Sequence, residues 1–207
     1  MRATKFAIAA LALAAAGSAQ AFGIGVRAGT TGVGADVAWS VAPTLSARLG
    51  YSGLKFDYDA TTDSNIRYDG KLKLSNFNAL LDFSPLGPFR ITGGFIFNDN
   101  KFDAIGTTSA GGGSSLSASV KAGRSAAPYL GIGYGNVSGL GVNFYADLGI
   151  MFMGSPKANI TANCGSLVGA NCTNLQNTAA TERARLEDEL KDFKYFPVLN
   201  IGLTVGF

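Results

Sequence analysis

Histidine is absent from this 207-residue sequence. That removes the usual general base at neutral pH and the commonest neutral metal ligand. Cysteine is scarce: Cys164 and Cys172 are the only two, close together in a polar stretch. After residue 21 no segment approaches the roughly 20 consecutive apolar residues a membrane-spanning helix needs. Charge is sparse as well, at 15% of residues. The small basic excess sits largely at the N-terminus, because setting aside Arg2 and Lys5 leaves 15 Lys and Arg against 14 Asp and Glu. A near-neutral chain offers no electrostatic argument for nucleic acid.

What is present begins with a secretion pattern. Arg2 and Lys5 form a short basic region, Phe6 to Ala16 is an apolar run, and Ala19 and Ala21 give an A-x-A ending. These features predict a signal peptide over residues 1–21, cleaved after Ala21, and a single domain over 22–207. In an exported chain the two cysteines predict a small local disulfide, with two free thiols as the alternative.

The remaining chain alternates. In "FPVLNIGLTVGF" every second residue back from Phe207 is apolar (Val205, Leu203, Ile201, Leu199), while Gly206, Thr204, Gly202 and Asn200 lie between. A period of two is the mark of a strand with one apolar face. The same pattern returns in "FGIGVRAGT", "GVGADVAWSV", "TLSARLGYSGLKFDYD", "YDGKLKLSNFNALLDFS", "FRITGGFIFNDNKFD", "LSASVKAGRSAAPYLGIGYG" and "VNFYADLGIMFMG", making eight segments. In the third the phase shifts from Leu49 and Tyr51 to Leu54, Phe56 and Tyr58, which a bulge near Gly53 would produce. The fourth shifts likewise, from Leu72 and Leu74 to Phe77, Ala79, Leu81 and Phe83.

Connections and aromatics sort by end. The second, fourth and sixth connections ("APT", "PLGP", "NVSG") are short, whereas the third, fifth and seventh are longer, around 60–67, 105–114 and 155–193. Phe22, Trp39, Phe83, Phe89, Tyr134, Phe144 and Phe207 fall near the short-turn ends, and Phe56, Tyr58, Phe97 and Phe152 nearer the other. Two aromatic belts at membrane interfaces account for both sets. An even number of short alternating strands, with short turns on one side and long loops on the other, predicts an all-β fold: an eight-stranded antiparallel up-and-down transmembrane β-barrel.

These features resemble the small bacterial outer-membrane β-barrels of the OmpA and OmpW type and the porin-like outer-membrane β-barrel domain. "DGKLKLSNFNALLDFSPLGPFRITGGFIFNDNKFD" and "LEDELKDFKYFPVLNIGLTVGF" also look like a proteobacterial subgroup of such barrels. The resemblance implies an outer-membrane location, contact with outer-membrane lipid, and recognition of Leu203, Val205 and Phe207 by the barrel assembly machinery. It names no activity. The lipid-modifying enzymes among small outer-membrane barrels rest on histidine, so a membrane-embedded enzyme of that kind is the disfavoured alternative. The expectation is a non-enzymatic protein without cofactor or metal.

In a barrel of about eight strands the interior is just wide enough for side chains to fill it. The alternation turns Arg27, Asp36, Arg48, Asp82, Arg90 and Asp147 inward, with Asn78, Asn143, Tyr145 and Asn200 among them. Three arginines and three aspartates can neutralise one another, as buried charges must. Two readings follow: a network that fills the lumen, or the lining of a narrow porin-like pathway for small solutes or ions. The "GIGYG" glycines lie mid-strand without a following helix, which excludes a dinucleotide loop; they let the wall bend or a lumen residue pack against it.

The seventh connection is the most distinctive. Ala179, Leu186, Leu190 and Phe193 recur at helical spacing, and Arg183 with Glu187 and Glu187 with Lys191 are ion pairs four apart. A helix is predicted over about 177–192 of the extracellular loop 155–193. Its apolar stripe has to rest on the barrel rim, the lipid interface or an extracellular partner, with capping of the mouth preferred.

Overall fold

A computed structural model of the chain describes residues 21–61, 66–108 and 113–207. The expected signal peptide lies outside the described residues except for Ala21, as do the tips of the third and fifth connections. Eleven strands and one helix follow in order: β1 (Phe22–Gly29), β2 (Gly32–Ala42), β3 (Leu45–Thr61), β4 (Ile66–Leu86), β5 (Phe89–Asn98), β6 (Lys101–Thr108), β7 (Ser115–Lys121), β8 (Ala126–Gly135), β9 (Gly141–Met151), β10 (Lys157–Asn163), α1 (Ala170–Leu190) and β11 (Phe196–Gly206). Among the described residues no helix is long and apolar enough to cross a membrane.

All the pairings are antiparallel, and eight strands pair in a closed circuit, β1–β2–β3–β4–β5–β8–β9–β11 and back to β1. The first and last strands close it, with Phe22 and Phe207 exchanging two backbone hydrogen bonds of 3.1 and 3.0 Å. A closed sheet leaves no edge in the ring, so its backbone groups are satisfied internally. The ring is uneven. β3 and β4 run to 17 and 21 residues, and β4 pairs with β5 in its lower half and with β6 in its upper half. β6, β7 and β10 then extend the ladder sideways. Above one side of the ring, therefore, stands a projecting sheet, β3–β4–β6–β7–β10.

This projection corrects three expectations. The long connections are largely continued strand: β3 reaches Thr61, β4 starts at Ile66, β6 occupies 101–108, and β10 lies inside the stretch 155–193 that reads as loop. The phase shifts are not bulges either. Pairing between β3 and β4 is unbroken from Leu45↔Phe83 to Thr61↔Arg67. Leu54, Phe56, Leu72 and Leu74 therefore share the face of Arg48, Asn78 and Asp82, the lumen side, and the apolar residues change face without any slip of the backbone. For the same reason Phe56 and Tyr58, both exposed, stand above the ring and are not part of an outward belt.

α1 starts at Ala170, seven residues before the expected start, and ends at Leu190. The Cys164–Cys172 disulfide joins the end of β10 to its first turn, with Cα atoms 5.4 Å apart. The helix packs along β10 and not over the ring's mouth. Ala179 is buried there, and Leu175, Leu186 and Leu190 are half-buried on the same stripe. Among the described residues β10 has a ladder partner on one edge only, β7, and the helix lies against this edge strand. Phe193 is not in the stripe: it follows the helix and is 61% exposed. Arg183 pairs with Glu187 at 3.4 Å, but Lys191 pairs with Asp188 at 2.7 Å instead of Glu187.

Candidate functional site

The ring is inverted relative to a soluble domain. Ile24, Val26, Leu81, Ile91, Leu130, Ile132, Leu148, Ile201 and Leu203 face outward and are 48–62% exposed. Aromatic side chains bound this apolar band. At the short-turn end Phe22 meets Phe207 at 5.5 Å and Phe89 meets Tyr134 at 5.2 Å. At the other end Phe77 meets Phe97 at 6.0 Å and Phe152 meets Tyr195 at 5.6 Å.

The charges lie within. Arg27, Asp36, Arg48, Asp82, Arg90 and Asp147 are each no more than 5% exposed. Two arginines and two aspartates form a square: Arg48 reaches Asp147 at 2.6 Å and Asp82 at 3.1 Å, and Arg90 reaches Asp147 at 2.7 Å and Asp82 at 3.3 Å. Thr92 donates to the same Asp82 oxygen at 2.6 Å. The third pair, Arg27 and Asp36 at 3.1 Å, sits beside the square. Arg27 also donates to Ser52 and Asn78, and the Tyr145 hydroxyl donates to Asp36 at 2.5 Å. Both square arginines lie over the Tyr145 ring, 5.2 and 5.4 Å from its centroid. Tyr145 therefore joins the two halves into one neutral assembly.

Glycines make the space. Arg27 is flanked in register by Gly34 and Gly202, Asp36 by Gly25 and Gly50, and Asp147 and Arg90 share Gly133. A Cβ on Gly133 would stand 2.7 Å from both the Arg90 and Asp147 side chains, and one on Gly202 would strike the Tyr145 ring. Large and small residues alternate around the lumen as a filled small barrel requires. Of the two roles open to the mid-strand glycines, Gly133 takes the second, packing against a lumen residue.

The rest of the lumen is occupied as well. Leu80, Ile96, Ala127, Tyr129, Met151 and Val198 form an apolar cluster. At the short-turn end the segment 136–140 folds inward: Val137 is 1% exposed and packs with Ala38 and Tyr145. The Ser138 hydroxyl meets those of Ser40 and Ser46 at 3.1 and 3.0 Å, and Asn143 donates to the Gly139 carbonyl at 2.6 Å. Asn200 accepts from Thr31 at 3.0 Å. Four polar atoms of the network, the three arginine Nε and Asp82 Oδ2, make no hydrogen bond among the described residues.

Sequence reasoning placed all six charges on the inward face, and the structure pairs them. It missed Ser52 and Thr92 as partners, and the inward fold of residues 136–140. Ser52 shares the inward parity of Arg48 on β3, and Thr92 that of Arg90 on β5, which was the available signal for the first omission. A short polar turn carries no pattern that reveals the second. Among the described residues no group of three or more Cys, Asp or Glu is arranged to hold a metal ion.

The projecting sheet reverses the arrangement. Its outward face carries Lys55, Lys71, Lys73, Lys101 and Asp103, while the face continuing the lumen wall carries Leu54, Leu72, Leu74, Phe102 and Val120. Lys73 binds Asp99 at 2.8 Å. This hydrogen bond and the paired charges hold the ammonium above the ordinary lysine value and the carboxyl below the ordinary carboxylate value. Partial burial opposes the same fall at Asp103, but hydrogen bonds from Lys101 and Ser119 outweigh it.

No family model matches the chain, and no curated protein matches it in sequence. Among solved structures the fold is similar to that of CarO2 from Acinetobacter baumannii, with a TM-score of 0.61 and 20% identity over 90% of this chain and 98% of that one. CarO from the same organism aligns with a TM-score of 0.61 and 20% identity over 89% and 97%. A major outer membrane protein from Thermus thermophilus aligns over 91% of this chain and 100% of that one, at 16% identity and a TM-score of 0.47.

Proposed function

We propose that the protein is a bacterial outer-membrane β-barrel of the small OmpA and OmpW kind. It is an eight-stranded up-and-down barrel with a non-enzymatic structural or surface-interaction role and a lumen filled by its own side chains. The observation that carries this reading is the inversion of the ring: an apolar band between two aromatic belts outside, and six paired charges inside. Lipid stabilises such an outside, and a closed antiparallel ring is the sheet that tolerates it. The fold shared with CarO and CarO2 agrees. In this reading the chain is exported with cleavage after Ala21, and the assembly machinery recognises Leu203, Val205 and Phe207. The short turns lie in the periplasm. The projecting sheet and residues 155–193 lie outside, where an extracellular partner would meet them.

The test is electrical. The refolded mature protein in a planar bilayer is expected to be silent at two salt concentrations, because the charge network and residues 136–140 block the lumen. Reproducible discrete conductance that scales with salt would overturn the filled-lumen reading. It would favour a narrow channel, which has one observation of its own: a mouth of about 570 Å3 at the short-turn end, lined by Ser40, Ser46, Ser84 and Ser138. Conduction through it would require residues 136–140 to withdraw. In the filled lumen Asp147→Ala lowers stability without conductance; in a channel it changes selectivity.

A further inference from the structure

One row of side chains on the projecting sheet has no counterpart elsewhere in the ladder among the described residues. Lys55 is directly opposite Lys73, Lys73 opposite Lys101, Lys101 opposite Lys121, and Lys121 opposite Lys157. Five lysines thus stand side by side on five adjacent strands. At a strand spacing of about 4.8 Å the row is roughly 19 Å long. Like charges directly opposite one another destabilise a sheet, and the protein compensates only in part. Lys73 pairs with Asp99 and Lys101 with Asp103, both at 2.8 Å. Lys55, Lys121 and Lys157 form no ion pair among the described residues. The next outward positions up are mixed, Asp57, Lys71 and Asp103, so the excess is confined to one level.

That level is informative. The row shares the outward face of Tyr51, Phe77 and Phe97, and lies four residues above the last two along β4 and β5–β6. Between them are only Gly53, Ser75 and Asp99. An apolar wall, an aromatic belt, and then a line of ammonium groups match, in order, the acyl chains, interface and phosphates of an anionic lipid. We infer that this lysine row binds the phosphates of phosphate-bearing lipid headgroups in the leaflet beneath the projecting sheet. The inference rests on the outer-membrane reading above.

The experiment uses the full mature protein inserted in neutral phosphatidylcholine nanodiscs, with retained lipid counted by native mass spectrometry. The probes are diphosphorylated lipid A, the same lipid dephosphorylated, and inorganic phosphate. Each lysine near an anionic membrane surface contributes roughly a fivefold gain. Retention of the phosphorylated probe should therefore exceed that of the dephosphorylated one by about tenfold or more. The combined substitution Lys55→Gln, Lys73→Gln, Lys121→Gln and Lys157→Gln should remove the difference, whereas Lys191→Gln with Lys194→Gln should leave it. Equal retention of the two lipids by the unsubstituted protein overturns the inference, and does so without reference to any variant's folding. Full displacement by millimolar inorganic phosphate also overturns it, in favour of a soluble anion. Failure to insert in neutral nanodiscs at all is a different result, and strikes the outer-membrane reading instead.

Discussion

The ring and the projecting sheet have two strands in common, yet they present opposite faces. β3 and β4 run through both without a break in register. Below Gly53 and Ser75 the outward face is Leu49, Tyr51, Phe77 and Leu81, and the inward face is Arg48, Asn78 and Asp82. Above that level the outward face is lysine and aspartate, and the other is Leu54, Phe56, Leu72 and Leu74. Nothing in the backbone marks the change; the side chains alone record it. A strand passing from hydrocarbon into water has this requirement, because the solvent outside the wall changes while the ladder does not. In the outer-membrane reading proposed above, the comparison puts the membrane boundary at one level of the fold.

Charge removal should separate the two regions most strongly. Asp82→Ala leaves Arg48 and Arg90 short of a partner inside the ring, and breaking a buried pair in this way costs about 3–5 kcal/mol. Asp103→Ala on the projecting sheet removes a half-exposed pair and should cost under about 1 kcal/mol. Denaturant unfolding of both variants in lipid vesicles measures the contrast. Charge addition should behave in the opposite sense. Leu148→Arg, in the middle of the outward apolar band, is expected to cost about 2–4 kcal/mol, whereas Asp57→Arg on the upper outward face should change stability little. A charge tolerated at residue 148 would break the comparison.

Smaller effects sharpen it. Thr92→Val removes one hydrogen bond to the Asp82 carboxylate and should cost about 1.5–3 kcal/mol, with no change in the projecting sheet. Replacing Cys164 and Cys172 together by Ser should act only above the boundary. Hydrogen exchange over residues 170–176 is expected to quicken while the unfolding midpoint of the ring stays in place. A shifted midpoint would show the helix to be part of the ring's cooperative unit.

The ring was legible because its alternation has one cause, a greasy outside and a polar inside, repeated in each strand. Arg27, Arg48 and Asp147 could be turned inward from parity alone. The projection was not legible for the same reason. A change of face and a one-residue bulge leave the same trace in a sequence, so Leu54 and Leu72 read as bulged when the register is continuous. β10, "KANITAN", has only Ile160 as a large apolar residue, and no alternation strong enough to announce a strand. The first two turns of α1, "ANCTNLQ", are rich in asparagine and threonine, poor helix formers. The disulfide ties them to the end of β10, and their packing along that strand is not a local property.

The level at which the faces exchange is the central claim, and it can be measured residue by residue. Single spin labels at the outward positions 47, 49, 51, 53, 55 and 57 of β3 would be compared in lipid bilayers for collision with oxygen and with a water-soluble nickel chelate. The account predicts oxygen-dominated collision through residue 51, nickel-dominated collision from residue 55, and the crossover at 53. Continuous oxygen preference through residue 57, or water access throughout, would contradict it.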